Sequence, residues 1–408
     1  MSEQIPVSPA RLNPLVLLAN RSFLALWLTG AASSTVRWLE MLATAVYVFD
    51  QTGSPFLVAL LTVLRMLPLA LLGAVSGALC ERFDRRQIQL WGTLCMLLVS
   101  LLQGWLAYQG LIQLWHLLLG AFLNGVFWTT DMPARRTLLG EIAGPTLLGA
   151  AMSLDSVTSN GTRMLGPLLG GLLLEAIGLD GTFFLGVGLY AVGLLALFWL
   201  PWRDTSGTGG GLGLWRSILE GMQYIRGNRA LVGTLLITII FNLWAFPFTA
   251  MVPVIGRDVL GLNPFPVGLL ASAEGAGALC SAFLIALLVP PRWYRKLYLY
   301  GTAVCLLAIL LFSQTTWAPL AGLVLVLAGT GTAAFSTMQA TLVFQAAPIQ
   351  ARGRIMGVLS VCIGTGPIGF LHVGWLASEL GAPVALSIIA LEGLLALAIV
   401  YWHWPEVR

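Results

Sequence analysis

Charged residues are scarce in this sequence. Only 9% of its 408 residues are Asp, Glu, Lys or Arg, whereas 58% are hydrophobic. A soluble globular domain carries about 25% charged residues, so this composition excludes an ordinary water-soluble chain. Long apolar runs interrupted by short polar breaks indicate a protein that crosses a lipid bilayer many times.

Histidine and cysteine are also sparse. The three histidines are far apart, at positions 116, 372 and 403, and the five cysteines all lie in apolar runs, at 80, 95, 280, 305 and 362. No spacing suits a metal site, and structural disulfides are not expected. No nucleophile with an adjacent base and no cofactor loop can be assembled either, so we expect neither an enzyme nor a cofactor. The first residues lack the order of a signal peptide and indicate a short cytosolic tail.

Twelve apolar segments are long enough to cross a bilayer, which takes about 20 residues as a helix. Their approximate bounds are 22–49, 56–80, 88–108, 111–130, 146–174, 181–200, 230–256, 265–289, 297–313, 318–345, 354–378 and 383–403. The longest polar stretch, 201–229, separates the sixth segment from the seventh.

The cationic residues predict the orientation of these segments. Nearly every Arg and Lys falls in connections on one side, and Arg257 alone lies in a loop on the other. The positive-inside rule therefore places both termini and the 201–229 loop in the cytoplasm, in a plasma (inner) membrane protein. The net charge of +4 reflects this topology, and we expect no nucleic acid partner.

The chain aligns with itself at an offset of about 204 to 210 residues. Asn20 to Asp50 matches Asn228 to Asp258 at equal length, and the segments beginning at Thr137 and Thr341 share residues in step. We predict an N-terminal six-helix bundle (1–200), a cytoplasmic linker (201–229) and a C-terminal six-helix bundle (230–408). Because six is even, the two repeats are parallel, as in transporters with a site between halves.

The connection between the second and third segments carries an acidic and basic motif, "GALCERFDRRQ" from Gly77. It resembles the signature of the major facilitator superfamily, with Glu81 at a position where Asp is usual and Asp84 at a position where Gly is usual. The resemblance extends over nearly the whole chain and implies a cytoplasmic gate, in which the acid meets the start of the eleventh helix near Arg354. The gate motif comprises Gly77, Glu81, Arg82, Asp84, Arg85, Arg86 and Arg354.

The fifth segment contains "GPLLGG", which resembles the Gly-Pro motif associated with exporters of this superfamily. Its residues are Gly166, Pro167, Gly170 and Gly171, and the second repeat echoes them at Gly366 and Pro367. Small residues allow close helix packing, and proline bends a helix. The pattern is most similar to the enterobactin-exporter and macrolide-efflux branch. Ala121 stands where many proton-driven drug antiporters carry Arg, which leaves the route of proton coupling open.

Ionisable residues inside the spans are costly and mark a pathway or an ion pair. The candidates for substrate binding and proton coupling are Arg37, Glu40, Arg65, Asp155, Arg163 and Glu274, and Glu392 lies in the peripheral twelfth span. Arg37 and Glu40 are three residues apart and can pair locally. Arg163 is too far from Asp155 to touch it, because eight residues of helix span about 12 Å.

In the superfamily's architecture the fifth helix packs beside the eighth. Glu274 is the carboxylate there at the depth of Arg163, so we predict an Arg163–Glu274 pair between the halves. It is either a gate that breaks during transport or a static packing contact. Glu274 or Glu40 is the expected proton carrier, with Asp155 as the alternative.

These features predict a secondary active exporter of amphipathic small molecules, of drug or siderophore type, driven by proton antiport. The alternatives within the same fold are a nutrient importer or passive facilitator, or a lipid translocator. The expected partners are a small-molecule substrate, protons and the lipid bilayer, with the protein as a monomer.

Overall fold

The computed structural model describes residues 15–82, 84–200, 222–347 and 352–408, without the side chains of residues 15, 74–82 and 352–353. Every regular element in these ranges is a helix. Most of the expected linker, at 201–221, lies outside the described residues.

The first three long helices are α1 (Arg21–Thr52), α2 (Pro55–Arg82) and α3 (Arg85–Tyr108). Asn20 begins α1, because its side chain accepts a hydrogen bond from the backbone N–H of Ser22 at 3.0 Å and so satisfies a donor that the helix leaves free. Asn228 begins the first helix of the second repeat in the same way, through the N–H of Leu231. The two caps stand at matching positions of the internal repeat.

A continuous helical stretch of 85 residues follows, Leu114–Phe198. It is broken at two glycines, Gly144 and Gly178, whose φ angles of 67° and 75° are unfavourable for other residues. We therefore divide it into α4 (114–143), α5 (145–177) and α6 (179–198). The expected polar loop between the fourth and fifth spans is instead largely helical, because α4 continues to residue 143.

The remaining helices form the second repeat. They are α7 (Arg229–Val259, with wider π-type turns at Phe241–Ala245 and Ile255–Val259), α8 (Pro264–Leu288), α9 (Pro291–Ser313), α10 (Ala318–Ala346), α11 (Arg352–Ile363 and Gly366–Leu380) and α12 (Ala382–His403).

Nine helical stretches of the described residues are long and apolar enough to cross a membrane. One of them is the 85-residue stretch, which holds three helices, and α1 falls outside the nine although it has 32 residues. Counting α4 to α6 separately and including α1 gives twelve helices of spanning length, the number expected from the sequence.

Helices α1 to α6 pack mainly with one another, and α7 to α12 do the same. Two extensive contacts join the repeats, α5 with α8 and α2 with α11. These two contacts are equivalent under the internal repeat, since each joins a second helix to a fifth one. Because the helices alternate in direction, the first and last described residues, Leu15 and Arg408, lie on one face, which we call the terminal face. Residues 53–54, 109–113 and 260–263 lie on the opposite face.

The outer surface of the helices is apolar. Side chains such as Leu195, Leu287, Leu323 and Trp402 are 65 to 73% exposed. A surface of this kind is suited to lipid rather than to water, whereas the charged residues of the spans point inward or toward one another.

Candidate functional site

An ion pair joins α5 of the first repeat to α8 of the second. Arg163 Nη2 lies 2.7 Å from Glu274 Oε1, and the two side chains are 17% and 7% exposed. Gly275 makes this approach possible, because a Cβ there would lie 2.8 Å from the Cα of Met164, closer than atoms of a real side chain come. The contact predicted for Arg163 is thus present.

The Gly-Pro motif of α5 places this helix between α1 and α8. Gly166 and Gly170 face α1, where a Cβ on Gly170 would lie 2.5 Å from the carbonyl oxygen of Leu39. Gly171 faces α8 at Gly268, which in turn has no room for a Cβ beside the α5 backbone. Small residues therefore bring the backbones of three helices together from the ion pair toward the opposite face.

The second Gly-Pro motif does the same in the other repeat. Gly366 and Pro367 begin the second segment of α11. Beyond them, Gly369 packs against the backbone of α7, and a Cβ on Gly374 would lie 2.6 Å from Ala59 of α2. Helix α11 is thus packed between α7 and α2, as α5 is between α1 and α8.

A narrow cavity of about 60 Å³ lies between the repeats, beside the ion pair. Its walls come from α1, α2, α5, α7 and α8 and are mostly apolar, with Pro167 among them. The charged side chains that line it are Arg65, Arg163 and Glu274. Three of the residues predicted from the sequence therefore meet at one site.

A second cavity, of about 180 Å³, lies within the first repeat toward the terminal face. Trp38 and Arg163 line both cavities, and Arg163 Cζ is 5.7 Å from the centre of the Trp38 ring. These two side chains separate the cavities. Trp128 also lines the second cavity.

The predicted local pair of Arg37 with Glu40 is wrong. Among the described contacts no ion pair joins them: the Arg37 guanidinium lies over the Trp128 ring, 4.3 Å from its centre, while Glu40 accepts a 2.7 Å hydrogen bond from Ser100. The spacing permits a pair, but Trp128 of α4 and Ser100 of α3 determine where the two side chains point. Arg65 Nη1 donates to the carbonyl oxygen of Arg37 at 3.2 Å and so joins α2 to α1.

Asp155 lies in a buried charge cluster on the terminal side. It is 1% exposed, contacts Arg135 closely and lies 3.0 Å from Arg136 Nε. Arg135 Nε also lies 3.6 Å from Asp131. The sequence places both arginines in the connection between the fourth and fifth spans, and it did not single out Asp131. The spacing of Asp131 and Arg135, four apart at the end of an apolar span, was the available signal.

The gate motif is described only in part. The side chains of Gly77, Glu81 and Arg82 lie outside the described residues, so the contact of Glu81 near Arg354 stays a prediction. Asp84 begins α3 as its N-cap, accepting from the N–H of Arg86 at 2.9 Å. Arg85 pairs with Glu141 at the end of α4, and Arg354 is exposed.

Further contacts join the repeats at the opposite face. Arg257 of α7 binds Asp50 of α1 through two hydrogen bonds, at 2.7 and 3.0 Å. Glu175 of α5 accepts a hydrogen bond from the N–H of Phe265, in the first turn of α8, at 2.9 Å. The ends of α1, α5, α7 and α8 are therefore tied together on this face. The sequence did not single out Asp50, because it directly follows an apolar span. It did single out Arg257, as the cation in a loop on the side opposite to the other cations.

Glu392 lies apart from both cavities, as its place in the twelfth span predicted. Its carboxylate lies 2.9 Å from His372 Nε2 and accepts a 2.9 Å hydrogen bond from the indole N–H of Trp244. The side chain of Trp244 is therefore held by this contact. Within the described ranges, no three His, Cys, Asp or Glu side chains lie close enough to hold a metal ion.

An all-helical chain whose two repeats meet at α5, α8, α2 and α11, around a central charged site, has the architecture of a major facilitator superfamily transporter. Within that class the chain belongs to the family described as transmembrane secretion effectors, whose model matches residues 12–406.

Curated relatives agree with this class. The chain is 28% identical to an uncharacterized MFS-type transporter, YfiS, of Bacillus subtilis over 61% of its own length and 60% of the relative's. It is 22% identical to macrolide efflux protein A of Streptococcus pyogenes over 65% of its length and 66% of the relative's. It therefore spans somewhat less than two thirds of each. The multidrug efflux pump Tap of Mycolicibacterium fortuitum is 24% identical over 88% of this chain and 90% of its own.

Solved structures show the same fold at low identity. The chain superimposes on the nucleoside transporter NupG with a TM-score of 0.72 and 12% identity, covering 93% of this chain and 98% of that one. A bacterial homologue of the lysosomal transporter Spinster gives 0.72 and 15%, covering 95% and 97%.

Proposed function

We propose that this protein is a secondary active exporter of amphipathic small molecules that works by proton antiport and alternating access. The observation that carries the proposal is the Arg163–Glu274 pair, which joins the repeats at the wall of the central cavity. The printed names of two relatives, a macrolide efflux protein and a multidrug efflux pump, support export. Siderophores are a further substrate class suggested by the sequence resemblance.

The repeats act as two bundles, 1–200 and 230–408, joined by the linker 201–229. Both termini face the cytoplasm, in the inner membrane, as the distribution of cations favours. The protein functions as a monomer, because the two halves needed for alternating access are present in one chain.

The contacts between the repeats support an assignment of the described state. Arg257 with Asp50 and Glu175 with Phe265 hold the opposite face closed, and the larger cavity lies toward the terminal face. The described state is therefore closed at the opposite face. Sites for drug-sized ligands have volumes of about 300 to 1,000 Å³, more than either cavity provides, so the halves move apart to admit substrate.

Glu274 is the proposed proton carrier. When the carboxylate is ionised, it binds the Arg163 guanidinium and keeps α5 against α8. Protonation removes the charge that attracts Arg163, which loosens the contact and favours opening of the opposite face. Glu40 and Asp155 are the alternative carriers. Asp155 is the weaker one, because two arginines hold it.

The test is transport in proteoliposomes with an imposed pH gradient, using a panel of amphipathic compounds. Glu274→Gln is expected to abolish gradient-driven export while leaving passive exchange. Glu392→Gln is the matched control, since it neutralises another carboxylate inside the membrane that touches neither cavity. Unaltered pH dependence in Glu274→Gln contradicts the assignment of the proton carrier.

The same assay separates the alternatives. Net uptake that follows the substrate gradient and does not respond to the pH gradient indicates a passive facilitator. Inward transport that is coupled to protons indicates a nutrient importer. Movement of labelled lipid between leaflets, in the absence of other substrates, indicates a lipid translocator.

A further inference from the structure

Two arginines at the cavities, Arg37 and Arg65, make no ion pair with a carboxylate of the described residues. Among the described residues, five arginines line the two cavities, Arg37, Arg65, Arg135, Arg136 and Arg163. Four carboxylates interact with them, Glu40, Asp131, Asp155 and Glu274. Arg136 is 42% exposed, so the arginines of the buried part of the site are Arg37, Arg65, Arg135 and Arg163.

Arg65 donates a hydrogen bond to the carbonyl oxygen of Arg37, whereas the Arg37 guanidinium has neither an ion pair nor a hydrogen-bond acceptor among the described residues. Arg163 is bound by Glu274, and Arg135 and Arg136 are bound by Asp155. No carboxylate of the described residues lies within ion-pair distance of Arg37. Asp131 interacts with it only at longer range and is shared with Arg135. Glu40, on the same helix, is turned toward Ser100.

The surroundings of Arg37 hold it facing the larger cavity. Its guanidinium lies flat over the Trp128 ring, 4.3 Å from the ring centre, which stabilises the cation without supplying a hydrogen-bond acceptor. Its Nε is buried and makes no hydrogen bond. A buried donor without an acceptor is unfavourable unless a ligand satisfies it. Polar side chains of Ser34, Ser159 and Asn160 line the same cavity.

We propose that Arg37, supported by Trp128, is a subsite for the negatively charged group of the substrate, so that the substrate class is amphipathic organic anions, such as carboxylates or phenolates attached to an aromatic or apolar body. The planar guanidinium suits a carboxylate, to which it can donate two parallel hydrogen bonds. The anion supplies the carboxylate or phenolate partner that Arg37 lacks, and Trp38 and Trp128 provide apolar and aromatic surface for the body. Cationic amphiphiles are disfavoured, because they would place a second positive charge beside Arg37.

The anion subsite rests on the proposed function of the same site. Its test is equilibrium binding, which does not require transport, so the subsite and the export function can fail separately. Two xanthene dyes of similar shape and opposite charge, fluorescein and rhodamine 123, are titrated with the purified full-length protein in nanodiscs. Fluorescence anisotropy at low salt is measured at pH 7.4, against empty nanodiscs.

We expect the wild-type protein to bind fluorescein more tightly than rhodamine 123, with an affinity that falls as salt rises. Arg37→Gln should weaken fluorescein binding about tenfold or more, the loss expected for a hydrogen-bonded charge, and leave rhodamine 123 unchanged or tighter. Arg37→Lys keeps the charge and loses the planar geometry, so its affinity should lie between. Arg21→Gln, which removes an exposed cation at the start of the same helix, is the control and should change neither.

Several outcomes overturn the inference. The first is that the wild-type protein binds fluorescein no more tightly than rhodamine 123. This comparison uses only the wild-type protein and so does not depend on the folding of a variant. Another is an equal loss of both dyes in Arg37→Gln, which indicates that Arg37 only supports packing against Trp128. If rhodamine 123 is exported in the vesicle assay and fluorescein does not bind, the proposed export function stands and the proposed anion subsite is wrong.

Discussion

Replacing Gly268 by alanine tests whether the close contact of α5 and α8 sets the conformational equilibrium. A Cβ at this position would lie 2.5 Å from the carbonyl oxygen of Pro167 and 3.2 Å from the Cα of Gly171. Both obstacles are backbone atoms, which cannot rotate away. The helices must therefore separate by roughly 1 Å, and overpacking of this kind costs about 1–3 kcal/mol.

The helix preference of alanine over glycine acts equally on both conformations, because residue 268 stays helical, so the closed opposite face loses about 1–3 kcal/mol. Since 1.4 kcal/mol is a factor of ten, the ratio of outward-open to closed protein should rise by roughly five- to 150-fold. Gly161→Ala is the matched control on α5, because nothing lies within 4 Å of its Cβ. That variant should keep or slightly raise thermal stability.

The population can be measured by thiol labelling. A Thr62→Cys reporter, which lines the central cavity, is introduced into a chain without its native cysteines. Whole cells are then treated with a membrane-impermeant maleimide. Gly268→Ala should label several times faster than Gly161→Ala. Equal labelling of the two variants, with equal melting temperatures of the purified proteins, would refute the reasoning about the α5–α8 contact.

The remaining predictions concern ion pairs of different burial. Asp155→Asn leaves the buried Arg135 without its nearest carboxylate and should lower unfolding stability by about 3–5 kcal/mol, seen as a large drop in melting temperature. Glu141→Gln removes a partly exposed pair and should cost at most about 1 kcal/mol, so equal drops contradict the burial argument. Asp50→Asn breaks the contact with Arg257 and should raise thiol labelling of the central cavity about two- to fivefold; unchanged labelling shows that the contact does not hold this face closed.

The helices were predictable because hydropathy depends on sequence alone. Caps such as Asn20 and Asn228 recur at the start of each repeat, and the depth of each charged residue follows from counting along a span. That count was sufficient to pair Arg163 with Glu274, since both lie at the same depth on helices that the superfamily fold places side by side.

The local directions of side chains were not predictable in the same way. Arg37 and Glu40 satisfy the spacing rule for a helix pair, yet the Trp128 ring and the Ser100 hydroxyl, on two other helices, determine where they point. Arg135 was expected in the connection between the fourth and fifth spans because it follows the end of an apolar run. It is buried because α4 continues past that run and meets Asp155. Such contacts depend on tertiary packing, which the hydropathy of one segment does not contain.

The glycine break between α5 and α6 has a consequence for biogenesis. At Gly178 a single residue separates the two helices, so no hydrophilic loop gives the insertion machinery time to release one helix before the next emerges. Helices α5 and α6 must therefore enter the bilayer as a tight hairpin. Arg163 of α5 consequently arrives in the membrane while Glu274, more than a hundred residues downstream, has yet to be synthesised.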